Sequence, residues 1–116
     1  MAYFKITILL MQVIPGLLLI ALSVPLIRGK VGPNPWYGFR VRRTLEDPVV
    51  WYKANAFAGK TLIWAGIVMI VGSVVLYLVP DLDGPSYAVA CTVVVSVALG
   101  VSVILSFRFL GQIPKS

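Results

Sequence analysis

Residues 33–60 read PNPWYGFRVRRTLEDPVVWYKANAFAGK, and the reading of this stretch decides the fold. It is the only long run that a bilayer would reject, and it holds half of the charged residues. On either side the chain turns apolar. Ile6–Ile27 has no charged residue across 22 positions, Thr61–Val79 none across 19, and Tyr87–Phe107 none across 21. A helix crossing a hydrocarbon core of about 30 Å needs roughly 20 such residues. Each run therefore predicts a transmembrane helix. Apolar runs also occur as buried core helices, but three of this length leave almost no polar remainder to cover them.

Composition agrees. Of 116 residues, 59% are hydrophobic and 12% charged, against about 25% charged in soluble domains. The expected fold is an all-α integral membrane protein, one domain over residues 1–116. Its spans lie near 6–27, 59–79 and 87–107, and the motif loop covers 28–58. A short interfacial helix is expected in that loop.

The net charge of +6 raises nucleic acid as a partner, but its placement favours a membrane surface. Arg28, Lys30, Arg40, Arg42, Arg43, Lys53 and Lys60 lie between the first two spans, and Arg108 and Lys115 follow the third. Only Lys5 precedes the first span, and the connection 80–86 holds Asp81 and Asp83 with no base. The positive-inside rule then places the N-terminus outside and the C-terminus in the cytoplasm. A base near an anionic leaflet contributes about 1 kcal/mol of attraction. Arg28, Lys30, Arg42 and Arg43 are the candidate contacts to lipid headgroups in a multi-pass membrane protein.

The first span resembles a cleavable signal at Ala21-Leu22-Ser23. Its length and the following Arg28 and Lys30 favour retention. Pro15 removes a backbone hydrogen bond and predicts a kink, and Gly16 permits close approach of a neighbour. Gln12 is the one strongly polar side chain in this span, suited to an interhelical hydrogen bond or to a contact with a ligand or partner. Further on, Gly29, Gly32, Pro33 and Pro35 oppose helix, and Trp36 and Tyr37 suit the headgroup level. Asp47-Pro48 reads as an N-cap with proline at the first helical position. An unbroken helix from Pro48 to Val79 would be about 48 Å long, so its first ten or so residues must lie along the interface or project beyond it. Trp51 and Asn55, four apart, share a face there.

Small residues recur within the spans. Gly59, Gly66 and Ser73 repeat every seven residues, a stripe suited to close helix packing. The third span carries two stripes, Ala88/Thr92/Ser96/Gly100 and Ala98/Ser102/Ser106. Packing within a three-helix bundle uses one stripe per helix, and the extra one hints at a partner such as a second copy. Tyr77 and Tyr87 read as interfacial anchors flanking the turn at 80–86.

Enzyme chemistry finds little support. Glu46, Asp47, Asp81 and Asp83 are the only acids, and none lies inside a span. There is no histidine, and the single cysteine, Cys91, reads as a packing residue. No metal, cofactor or catalysis is expected, and an ion-coupled carrier would need an ionisable group at depth. The loop is richer. Asn34, Arg40, Trp51 and Asn55 combine directional hydrogen-bonding groups with a rigid aromatic. Arg40 has three candidate partners: lipid phosphate, helix C-terminal carbonyls, or the amides of Asn34 and Asn55. These residues either fold the loop back onto the helix ends or form a recognition surface.

The order of residues in this loop resembles the SdpI family of small bacterial membrane proteins, named for an immunity protein against a secreted peptide toxin. The pattern appears here as Asn34, Tyr37-Gly38-Phe39-Arg40, Thr44-Leu45, Trp51 and Asn55, ahead of Gly59. Val41 departs from it, standing where the family usually has threonine. The chain looks like the minimal three-span module of the family. The resemblance implies protection from a membrane-active peptide and, in the named system, membrane capture of a soluble repressor.

Overall fold

A computed structural model describes residues 2–114 and contains four helices, α1 (Ala2–Ile27), α2 (Arg42–Glu46), α3 (Pro48–Tyr77) and α4 (Gly84–Gln112), with no strand among the described residues. Lys115 of the sequence reading lies outside them. Helices α1, α3 and α4 are each long and apolar enough to cross a membrane, and their exposed surface is dominated by leucine, valine and isoleucine. Such a surface is stable in hydrocarbon and costly in water.

Helix α3 is the central element. Its stripe of Gly59, Gly66 and Ser73 is buried, and the two glycines meet α1. A Cβ added at Gly66 would stand 2.8 Å from the Gly16 carbonyl oxygen, and one at Gly16 would stand 3.1 Å from the Gly66 carbonyl oxygen. The two backbones touch here, as small residues permit. Gly59 similarly faces the Ser23 carbonyl. Helix α1 runs unbroken through Pro15 and Pro25. It ends in a Schellman turn at Gly29 (φ +67°), where the Lys30 amide donates to Pro25 and the Gly29 amide to Leu26.

On its other side α3 packs against α4 through the stripe that contains Ser102 and Ser106. The Thr61 and Ser102 hydroxyls lie 2.7 Å apart, and Tyr87 Oη donates to the Ser73 carbonyl at 2.9 Å. The other α4 stripe faces outward: Thr92 and Ser96 are exposed, and nothing lies within 4 Å of a Cβ built on Gly100. Helix α1 also reaches the turn before α4, where Lys5 Nζ donates to the Leu82 carbonyl at 3.0 Å.

Two expectations change at this level. Tyr87 is a core residue rather than an interfacial anchor, with 0% exposure. Its ring packs edge-on to Tyr77 with centroids 6.0 Å apart, and Lys5 Nζ stands 5.4 Å from both rings. Cation–π attraction and the Ser73 bond draw the ring inward. Gln12 is half-buried, and among the described residues its amide finds no hydrogen-bond partner.

Candidate functional site

The loop between α1 and α3 folds back over the adjoining ends of α3 and α4, and each motif residue has a definable job in that fold. Asn34 builds a turn on its own. Its Oδ1 accepts from the Trp36 and Tyr37 amides at 2.8 and 2.9 Å, and its Nδ2 donates to the Gly32 and Tyr37 carbonyls at 2.8 and 3.2 Å. Asparagine suits this because one planar group both donates and accepts. Arg40 is exposed and donates to the Pro35 carbonyl. That is a local contact within the loop, outside the three alternatives drawn from the sequence.

Helix α3 begins as expected, with Asp47 accepting from the Val49 amide at 2.9 Å and Pro48 at the first position. Its first two turns stand against the loop and present Trp51 and Asn55, which are 0% and 1% exposed. Trp51 Nε1 donates to the Val31 carbonyl at 2.8 Å. Asn55 Oδ1 accepts from the Phe39 amide at 2.6 Å, while its Nδ2 donates to the Trp51 carbonyl at 3.0 Å. Gly38, with φ +115°, makes this approach possible, because a Cβ there would meet Asn55 Oδ1 at 2.8 Å and the Trp51 ring at 3.1 Å.

Helix α2 is a single turn in the loop. Val41 has no side-chain oxygen to cap it, and the fully buried Thr44 acts from the other direction. Thr44 Oγ1 accepts from the Val41 amide at 2.9 Å and lies 2.8 Å from the Phe39 carbonyl. Both polar atoms of the Phe39 backbone are thus held by side chains of the motif.

Sequence reasoning missed the attachment to α4. Arg43, read as a headgroup cation, is half-buried and donates through both terminal nitrogens to the Leu110 and Ile113 carbonyls. The end of a helix carries partial negative charge, so the guanidinium adds a second donor at the Leu110 carbonyl, which also accepts from the Ile113 amide, and takes up the carbonyl of Ile113. The Phe39 ring packs edge-on to Phe107 at 5.0 Å. Around these contacts Val50, Ala54, Leu110 and Ile113 form a small apolar cluster, with Phe39, Val41 and Phe109 against it. The signal for Arg43 in the sequence was only that a base lay in the loop.

Arg28, Lys30 and Arg42 remain exposed. Arg42 Nε pairs with Glu46 at 2.8 Å, a solvent-facing contact that adds little stability. Tyr37 is half-buried beside the Asn34 turn, whereas Trp36 is 83% exposed. Among the described residues no buried side-chain nitrogen or oxygen lacks a partner. The motif's interior is therefore closed on itself, and its outer face offers cations and the aromatic rings of Trp36 and Tyr52.

Neither the curated proteins nor the solved structures contain a significant match to this chain. The family model for the SdpI/YfhL proteins matches residues 30–107, from the end of the Schellman turn to the last turns of α4. That range takes in the loop, its anchors on α3 and most of α4, and this multi-pass membrane chain belongs to the SdpI/YfhL protein family.

Proposed function

We propose that this chain is a non-catalytic immunity or resistance protein of the bacterial cytoplasmic membrane. It protects its cell from a membrane-active peptide toxin by binding the peptide or denying it the bilayer. The observation that carries this reading is the family match across residues 30–107. The charge distribution supports an orientation with the N-terminus outside and the basic loop in the cytoplasm. In that orientation α2 lies at the inner interface, and Arg28, Lys30 and Arg42 face anionic headgroups.

Survival of a toxin-sensitive bacterial host tests the reading directly. Cells with and without the protein are exposed to a panel of secreted peptide toxins, alongside an Arg40→Ala variant at matched membrane levels. Protection against at least one toxin is expected. Failure against every toxin tried overturns immunity.

A second reading is a membrane subunit that docks a soluble regulator on the basic loop. It is favoured by the exposure of the apolar side chains Trp36, Leu45, Val49 and Tyr52 in the same stretch as the exposed Arg42. Purification in mild detergent without a stoichiometric partner, across several growth states, would remove it.

A further inference from the structure

Helices α3 and α4 diverge on one side to leave an open apolar groove of about 590 Å³, walled by Trp64 and Val68 on α3 and by Val97, Val101 and Leu105 on α4. This volume falls in the range of small-molecule sites. The groove runs from Val93 to Leu105 along α4, or about 18 Å at the helical rise per residue. One leaflet of hydrocarbon is about 15 Å deep. Toward the loop end its lining includes Thr61 and Ser102, whose hydroxyls bond each other at 2.7 Å.

Two exposed bases stand just beyond that same end, one on each wall. Lys60 is one helical turn before Trp64, and Arg108 is one turn after Leu105. Among the described residues the one salt bridge is Arg42–Glu46, so neither base is neutralised by a carboxylate. The stacked Phe57 and Phe109 rings, 4.3 Å apart, lie between the groove and the loop. An apolar slot one leaflet deep, with two uncompensated cations at its mouth, has the charge and length of a phospholipid turned inside out.

We propose that the α3–α4 groove is a binding site for an anionic phospholipid, with one acyl chain along Val97 and Val101 and the phosphate between Lys60 and Arg108. The site depends on the three spans and is independent of the immunity reading.

The test is native mass spectrometry of the full chain in mild detergent, titrated with phosphatidylglycerol or phosphatidylcholine. One phosphatidylglycerol per chain is expected, bound about thirtyfold more tightly than phosphatidylcholine, each base near a membrane surface giving about fivefold. Lys60→Gln with Arg108→Gln should abolish that preference. Val97→Trp fills the groove from a position that is 60% exposed, and should weaken both lipids. Val89→Trp, exposed on the same helix but outside the groove, should weaken neither. Circular dichroism checks helix content, and Val101→Phe replaces Val97→Trp if the latter misfolds. Equal binding of the two lipids overturns the proposal, as does unchanged phosphatidylglycerol binding in the groove-filling variant. Displacement by millimolar inorganic phosphate would assign the bases to a free anion instead. A lipid-free dimer lost on Val97→Trp would assign the groove to a second copy.

Discussion

Replacing Gly38 with alanine tests whether the motif loop is held from behind by α3. Gly38 sits at φ +115°, where an L-residue is strained by about 1–3 kcal/mol. The new methyl would also stand 2.8 Å from Asn55 Oδ1 and 3.1 Å from the Trp51 ring. That oxygen accepts from the Phe39 amide, and the other end of the same carboxamide is tied to the Trp51 carbonyl. It cannot retreat without leaving a buried donor unmatched, at about 1–3 kcal/mol. The two effects together predict a loss of about 2–6 kcal/mol. Unfolding in mild detergent, followed by Trp51 fluorescence in a Trp36→Phe/Trp64→Phe background, measures it. Gly100→Ala is the matched control, since nothing lies within 4 Å of its added Cβ. Helix propensity favours alanine there by up to about 1 kcal/mol. The reasoning fails if Gly38→Ala is no more destabilising than Gly100→Ala.

Other positions carry equally specific expectations. Arg43→Gln removes a cation held by two carbonyls of the α4 end, a loss of about 1.5–3 kcal/mol; amide exchange over residues 39–47 should accelerate roughly tenfold or more, and unchanged exchange would show that the tie is idle. Gly66→Leu places a side chain against the Gly16 carbonyl and should cost about 1–3 kcal/mol or more, read as a lower unfolding temperature in detergent. Asp83 caps α4, and its hydrogen bonds to Ser86 hold its carboxyl below the usual aspartate range. A depressed folded-state value means that the cap's stabilisation is present above about pH 3.9 and is lost as pH falls through the lower folded value. Protection factors at Ser86 and Tyr87, taken relative to the intrinsic exchange rate at each pH, should therefore fall on acidification, and Asp83→Asn should flatten that dependence.

The features legible in the sequence are those whose cause is local or periodic. Three uncharged runs mark the spans because lipid tolerates little else. Asp47-Pro48 marks the start of α3 because cap and proline act within one turn. The repeat of Gly59, Gly66 and Ser73 marks a helix contact because only small residues let backbones touch. Arg43 was illegible because its partners lie 67 and 70 residues away, and four other bases in the same loop looked equivalent to it. Tyr87 was misread because an aromatic near a span end has two stable homes, the headgroup layer and the core. The choice was made by Lys5 and Ser73, on two other helices. Within the motif, Trp51 and Asn55 could be paired by their spacing, but nothing in the sequence showed that Asn55 and Thr44 hold the backbone of Phe39.

Absence of any charged residue from Ile6–Ile27, Thr61–Val79 and Tyr87–Phe107 has an electrical consequence. Moving one elementary charge across the membrane potential is worth about 2.3 kcal/mol per 100 mV, and voltage acts on a protein through such movements. These spans carry no gating charge, so the field gives little leverage over their packing. The folded arrangement should be as stable in a depolarised cell as in an energised one. A membrane protein built in this way keeps its shape after the voltage has collapsed.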